Sequence, residues 1–408
     1  MHLLFISSLL PEEAPSTGFE IANRAIIGAL RANGVRLSFA GFTRPGAEGG
    51  GPDRIDLGTL AIENAAVGPA QKLRWVARAM ASDLPVAAAK LAVLSADALR
   101  RRLREAGPVD GYVLNSIQMP TAFPFLVTEK PSIFVAHNVE HHSAAENARN
   151  GRSAMERLLY AREARLLEKA EARLCREAVV VHTLSEDDQH QLGLGGNRKC
   201  LPLTLSIGRP PREDDGRRDH DVGLIGTWSW APNRVGLDWF VREVAPLLPG
   251  DLRVAVAGRF DGSPPAAPAN VSYVGRVPDA QAFVRASRVM ALATRGGTGV
   301  QLKTIETFEE GMPAVATSSA LRGADYVPGN VRVADNPRTF AEALVTLVRA
   351  EREGSVGRLD GRAFVRRQEA ALQAAVGEGL ARFERALSGT APAQELPAAI
   401  VRDAQFLG

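Results

Sequence analysis

Cysteine is almost absent: Cys175 and Cys200 are the only two in 408 residues. Neither has metal-ligand spacing, and two thiols make no disulfide framework, so a reducing compartment is the expectation. No apolar run reaches the roughly 18 residues that a membrane-crossing helix needs. The opening MHLLFISSLL has no basic leader and meets Glu12 and Glu13 at once, so it reads as a first strand rather than a signal peptide. An excess of charge of one sign is also lacking: the formal net charge is +3, which argues against a nucleic-acid partner. No carboxylate pair is placed to hold a metal ion, and no cofactor is expected.

What is present is globular. With 45% hydrophobic and 23% charged residues, the chain is long enough for two domains, each with its own core. The most informative stretch is 294–323, TRGGTGVQLKTIETFEEGMPAVATSSALRG. An apolar run at 288–293 reads as a buried strand. Gly296, Gly297 and Gly299 then mark a turn where backbone can approach a ligand. From Val300 the apolar spacing turns helical, with Ile305 and Phe308 three apart. Gly311 ends that helix, Pro313 prevents its continuation, and 314–317 is the next strand.

Strand, glycine loop, helix and strand make a βαβ unit, with its loop at the carboxyl end of a parallel strand. Open α/β sheets bind ligands there. Amides at the helix N-terminus can seat a phosphate. Lys303 adds a compact positive charge, and Glu306, three residues on, could take both hydroxyls of a ribose. A surface helix with a Lys–Glu pair and a plain glycine turn would carry the same residues.

GTGVQLKTIETFEEGMPAVAT resembles the nucleotide-sugar segment of family 4 (group 1) glycosyltransferases, G-T-x-x-K-x-x-E-A-x-x-x-G-x-P-V-V. The glycines, Lys303, Glu306, Gly311 and Pro313 match. Many members carry a Glu-x7-Glu pair whose first carboxylate contacts the donor sugar. Thr298 stands in that first position here, and Glu306 in the second. The resemblance adds Gly297, Thr298, Gly299 and Val300 to the expected donor contacts.

Residues 3–6 read as a strand, 20–33 as a helix closed by Gly34, and 36–40 as a second strand. In the family, the glycine matching Gly18 lies near the donor phosphates. Residues 45–58 read as a glycine-rich loop. Residues 71–104 read as two helices broken at Pro85, with eight basic residues opposed by Asp83 and Asp97. Trp75, Met80, Leu84 and Val86 supply apolar contacts beside them. Such a face can lie on an anionic membrane or be a solvated helix face.

Strands are expected at 110–114 and 132–136, the second leading into HNVEHH. His137 and Glu140 thus sit at a strand's carboxyl end. The segment resembles the family's H-N-x-E stretch, where the His contacts the donor sugar. A loop His or Glu here could equally be a base, which makes this pair the candidate catalytic residues. Three His in six residues raise a metal reading, but no further ligand cluster accompanies them.

A charged helix is expected over 152–177, a strand over 179–182, and a helix cap at Ser185-Glu186-Asp187-Asp188, similar to the family phrase V-S-E-x-D. Residues 207–221 are Pro-rich and charged, and read as a linker. It separates a first domain, 1–206, from a second, 222–388, with a tail from 389 to 408 that packs back or stays loose.

The second domain opens with a strand at 222–225 and a turn at Gly226 and Thr227. The resemblance makes Thr227, Trp228, Ser229, Asn233 and Arg234 candidates for the diphosphate and base, although Trp228 and Trp230 suit packing better. Arg276, in a family-like G-R-V-P-D, joins the donor set. Further strands are expected at 253–257, 271–274 and 331–333, and helices at 338–349 and 361–387.

The resemblance implies an α/β GT-B fold, two Rossmann-like domains facing a central cleft. It implies transfer from a nucleotide-diphosphate sugar to a saccharide or lipid-linked acceptor, with retention of configuration. The diphosphate would be met by amides, Lys303 and Arg234, without a metal. Alternatives are an inverting GT-B polysaccharide enzyme with Glu140 or His137 as base, a nucleotide-sugar 2-epimerase, or a non-catalytic partner. The expected location is cytoplasmic, with residues 72–104 able to touch the inner face of a membrane.

Overall fold

In the computed structural model, the described residues are 1–12, 17–47, 49–62, 67–151, 153–209, 212–260 and 262–389. Two parallel sheets organise them. The first contains β1 (His2–Leu9), β2 (Arg36–Thr43), β3 (Arg54–Thr59), β4 (Gly111–Asn115), β5 (Ser132–Ala136), β6 (Val180–Thr183) and β7 (Cys200–Pro202). Their order is β3-β2-β1-β4-β5-β6-β7. The second contains β8 (His220–Thr227), β9 (Val254–Arg259), β10 (Val271–Gly275), β11 (Ser287–Leu292), β12 (Ala314–Ala316) and β13 (Val331–Val333), in the order β10-β9-β8-β11-β12-β13.

Both sheets wind outward in two directions from their first strand. The switch points lie between β1 and β4 and between β8 and β11, and ligands bind above the carboxyl ends of strands at such points. Leu3, Leu4, Phe5 and Ile6 of β1 are fully buried, as a central parallel strand covered on both faces requires.

In the first domain the helices are α1 (Gly18–Ala32), α2 (Pro69–Ser82), α3 (Val86–Ala89), α4 (Ala96–Leu103), α5 (Gln118–Ala122), α6 (Phe125–Thr128), α7 (Glu140–Arg149), α8 (Ala154–Glu177) and α9 (Glu186–Gln191). Those after it are α10 (Ala231–Trp239), α11 (Ala280–Arg285), α12 (Leu302–Glu309), α13 (Pro337–Arg352) and α14 (Arg362–Leu387). Thr17 caps α1 in a capping box: Glu20 N donates to Thr17 Oγ1 and Thr17 N donates to Glu20.

Several expectations need correction. The glycine-rich segment read as a loop contains β3, because Ile55 and Leu57 alternate inward beside β2. Residues 71–104 form three helices, since the chain turns again after α3 and Ser95 caps α4. Gly226 and Thr227 are not a turn: they extend β8 and pair with Gly258 and Arg259.

The domain boundary at 388 also moves. α14 begins with Phe364 in the second domain's core, whereas Leu372, Val376, Leu380 and Phe383 pack under the first sheet. Gln368, fully buried between them, donates to Leu205 O and Gly323 O and accepts from Asp325 N. One side chain on the returning helix therefore ties the end of the first domain to the second. The tail from Thr390 falls outside the described residues.

Candidate active site

The glycine loop after β11 lies against the first domain. Gly297 and Gly299 have φ of 83° and 76°, the left-handed region that glycine enters without steric cost. A Cβ on Gly299 would come 2.2 Å from Asn138 Oδ1 and 2.9 Å from His137 O. The first domain holds the loop directly: Gly299 N donates to Asp188 Oδ1 at 3.0 Å, and Ser143 Oγ and Thr298 Oγ1 are 3.0 Å apart. Val300 packs between both domains' cores. From the other side, a Cβ on Gly18 would meet Leu302 Cδ1 at 3.0 Å, so the start of α1 abuts the start of α12.

Arg322 braces the loop from beneath. Its guanidinium donates to Gly296 O at 2.8 Å and to Gly299 O at 3.3 Å. Burial lowers its pKa, so the cation sits where water cannot screen it well. Lys303, at the first turn of α12, donates from Nζ to Asn233 Oδ1 at 2.9 Å, and Asn233 Nδ2 donates to Thr227 O at 3.1 Å. Burial, then the neighbouring Arg322, pushes Lys303 down to about 8. Neither cation forms an ion pair among the described residues. Asp188, Asp187 and Glu146 act on Arg322 only at longer range, so two desolvated cations outside any ion pair have the chemistry to hold an anion.

The sequence-derived donor set is only partly gathered. Gly18, Thr227, Asn233, Gly297, Thr298, Gly299, Val300 and Lys303 converge at this loop. Two loop amides are not free as expected: Asp188 takes that of Gly299, and Arg322 O takes that of Gln301. Arg234 turns along its own helix to pair with Asp238 at 3.2 Å, rather than joining Lys303. Trp228 is a core residue, 4% exposed, whose Nε1 donates to Ala257 O. Ser229 and Arg276 are exposed, after β8 and the edge strand β10 respectively.

Glu306 is not paired with Lys303. It forms an ion pair with Arg209 of the linker, beside a cavity of about 230 Å³ that Gln281, Glu309 and Arg366 help to line. The next carboxylate, Glu309, accepts from Ile207 N at 2.7 Å, and burial pushes it up to about 7. α12 thus touches the glycine loop at one end and grips the linker at the other.

The HNVEHH histidines separate. His137 is buried against Phe19, with Nε2 2.8 Å from Asn115 Oδ1, and burial pushes it down to about 3, so its ring is neutral. His141 pairs with Glu171, and His142 contacts Gln191. Glu140 opens α7, its amide donating to Glu171 Oε1 at 2.6 Å. Burial, then the like charge of Glu171, pushes the Glu140 carboxyl up to about 7. Among the described residues no three His, Cys, Asp or Glu are grouped to hold a metal ion. The tripeptide Asp219-His220-Asp221 lies at the amino end of β8, where Asp221 is committed to Arg352 at 3.0 Å and Arg288 at 3.2 Å.

Residues 219–350 match the family model described as glycosyl transferases group 1. Over these residues the second domain is similar to the group 1 glycosyltransferases. The match spans β8 to α13 and therefore contains Asn233, the glycine loop, Lys303, Glu306 and Arg322. No curated protein sequence matches the chain. In three dimensions it is similar to sucrose-phosphate synthase from Thermosynechococcus elongatus, with 15% identity and a TM-score of 0.60 over 96% of this chain and 100% of that one. It is also similar to HepE of Anabaena, whose structure holds UDP and glucose, with 13% identity and a TM-score of 0.58 over 93% and 99%. These likenesses extend the GT-B fold over both domains.

Sequence reasoning missed Asp188, Ser143 and Arg322. Ser185 does cap α9, with Asp188 N donating to its Oγ at 3.1 Å. That local reading left no sign that the Asp188 carboxylate would reach a loop 111 positions away. Arg322 closes the stretch singled out above, but only the packed loop shows its carbonyl partners.

Proposed function

We propose that this glycosyltransferase binds a nucleotide-diphosphate sugar with its diphosphate at Lys303 and Arg322, without a metal, and transfers the sugar to a saccharide or lipid-linked acceptor. The observation that carries the reading is the pair of desolvated cations at the glycine loop, neither of which is in an ion pair among the described residues. Cations fixed in a low-dielectric cleft stabilise the charge that grows on a departing diphosphate without reorganising. HepE is described with UDP and glucose, so UDP is the first ligand to try. Titrating UDP and GDP with and without EDTA tests the binding mode. Binding of both only in the presence of a divalent ion overturns it. Free nucleoside diphosphate formed only when acceptor is present separates transfer from epimerisation.

Retention of configuration follows from the family resemblance. One observation favours inversion as a second reading: Glu140, near the loop and raised to about 7, has the pKa of a general base. The anomeric configuration of the first-formed product, read by NMR, decides between them.

The membrane reading is changed in its residues. Trp75 is buried under the Lys90 ammonium, Arg100 pairs with Glu129 and Asp97, and Arg102 pairs with Glu105. The exposed basic and apolar face of α2 is instead Lys72, Leu73, Arg74, Arg78 and Met80. Co-sedimentation with anionic but not neutral vesicles supports docking through this face. Equal, negligible pelleting with both returns α2 to a solvated helix.

A further inference from the structure

Gly296 raises a question that backbone conformation does not answer. Gly297 and Gly299 need glycine for their positive φ, but Gly296 is not in that region. Space explains it instead. A Cβ there would stand 2.9 Å from Glu146 Oε1, a carboxylate that reaches the loop from α7 of the first domain. The same residue's carbonyl is held by Arg322 at 2.8 Å. The bare Cα thus lets a first-domain carboxylate lie directly on the second domain's loop.

Glu146 has a neighbour in this arrangement. Ser143, three residues earlier on the same helix surface, meets Thr298 Oγ1 at 3.0 Å. One helix therefore presents a hydroxyl and a carboxylate to the same loop. Glu146 is part-buried, and its carboxylate accepts no hydrogen bond and forms no ion pair among the described residues. It feels the Arg322 cation, but only at longer range. A half-desolvated carboxylate without donors is a place for ligand hydroxyls, which are uncharged donors that it can accept without neutralising itself. A diphosphate would be repelled there.

Resting on the reading of Lys303 and Arg322 as the diphosphate site, we infer that Glu146, with Ser143 and Thr298, forms the wall that recognises the transferred sugar by its hydroxyls and selects neutral hexosyl over uronosyl donors. Glu146 is a specificity-determining residue: it reaches across from the facing domain, so the sugar subsite is complete only when both domains meet. The carboxylate of a uronosyl donor would face Glu146 with like charge, which is how a site rejects the wrong ligand.

The test compares UDP-glucose, UDP-N-acetylglucosamine, GDP-mannose and UDP-glucuronate, each against its own nucleoside diphosphate, by calorimetry on wild type and Glu146→Gln. The quantity read is the ratio of nucleotide-sugar affinity to nucleoside-diphosphate affinity. For the neutral donor that wild type binds best, Glu146→Gln should lower this ratio by about ten-fold, as expected for a lost hydrogen bond to a charged group. UDP-glucuronate should gain relative to it, and UDP and GDP affinities should stay unchanged.

An unchanged ratio overturns the inference. So does an equal loss for sugar and free diphosphate, which would make Glu146 only a counter-ion for Arg322, and so does a wild-type preference for the uronate. If wild type binds neither UDP nor GDP, the diphosphate reading fails and takes this one with it. Should Glu146→Gln not fold, Ser143→Ala probes the same wall and should lower the same ratio.

Discussion

Asp188 Oδ1 accepts a hydrogen bond of 3.0 Å from the amide of Gly299, joining α9 of the first domain to the glycine loop of the second. Asp188 is fully buried, and its second oxygen has no hydrogen-bond partner, while Arg322 lies near enough to counter its charge. The glycine loop is therefore shaped by the other domain as well as by its own. Its conformation and the closeness of the domains are one variable.

Gly299→Ala should expose that coupling. An L-residue in the left-handed region costs roughly 1–2 kcal/mol. The added Cβ also meets Asn138 Oδ1 at 2.2 Å and the backbone carbonyl of His137 at 2.9 Å, which cannot swing aside as a side chain can. A melting temperature lowered by a few degrees, together with a loss of turnover far larger than the loss of stability, is the expected result. Wild-type turnover in a folded Gly299→Ala protein would show that this contact is dispensable.

Glu140 gives a pH-dependent stability. Its folded pKa, about 7, is raised above the ordinary carboxylate value of 4.5. The unfolded chain therefore ionises first, and wild type loses stability as pH rises from about 4.5 to about 7. Glu140→Gln removes the titration. Its advantage in melting temperature over wild type should grow across that window and stay level above it. A gap that does not change with pH would mean that Glu140 ionises normally. If Glu140 is also a base, the same variant abolishes turnover while nucleotide affinity holds.

The parallel sheets were legible because buried strands such as Leu3–Ile6 and the 288–293 run are short, apolar and punctuated by Gly and Pro. β3 was not, because its alternation hides among glycines, and α14 was misplaced because a helix's apolar stripe does not name the sheet that it covers. Lys303 and the glycines were legible for a similar reason: loop, helix start and charge are contiguous in sequence. Asp188, Ser143 and Glu146 come from 111 or more positions away. A single sequence carries no trace of such pairings, and only the folded cleft reveals them.

The linker ion pair predicts competition. Arg209 occupies Glu306, the carboxylate that its place on the helix suits to the hydroxyls of a ribose. If ribose hydroxyls take that carboxylate, Arg209→Ala should strengthen UDP binding several-fold, because the partner to be displaced is gone. Glu306→Gln should weaken UDP binding and make the Arg209 substitution neutral, as residues in one network do not add. Unaltered affinity in all three variants would leave Glu306 as a linker clasp alone.

Lys303 makes the sharpest test of the anion site, since its charge is itself adjustable. Its pKa of about 8 is set by burial and by Arg322. A bound diphosphate favours the ammonium form and pulls that pKa back up. UDP affinity should therefore be constant below pH 7 and should weaken as pH rises through about 8, by up to ten-fold per unit until the bound-state pKa is reached. Lys303→Ala should bind UDP more weakly at pH 7 and lose this pH dependence, with stability little changed because the lysine's partner Asn233 keeps its bond to Thr227. Turnover should fall by more than affinity does, because the leaving diphosphate gains charge in the transition state. A wild-type affinity flat from pH 7 to 9.5, with Lys303→Ala fully active, would place the diphosphate elsewhere.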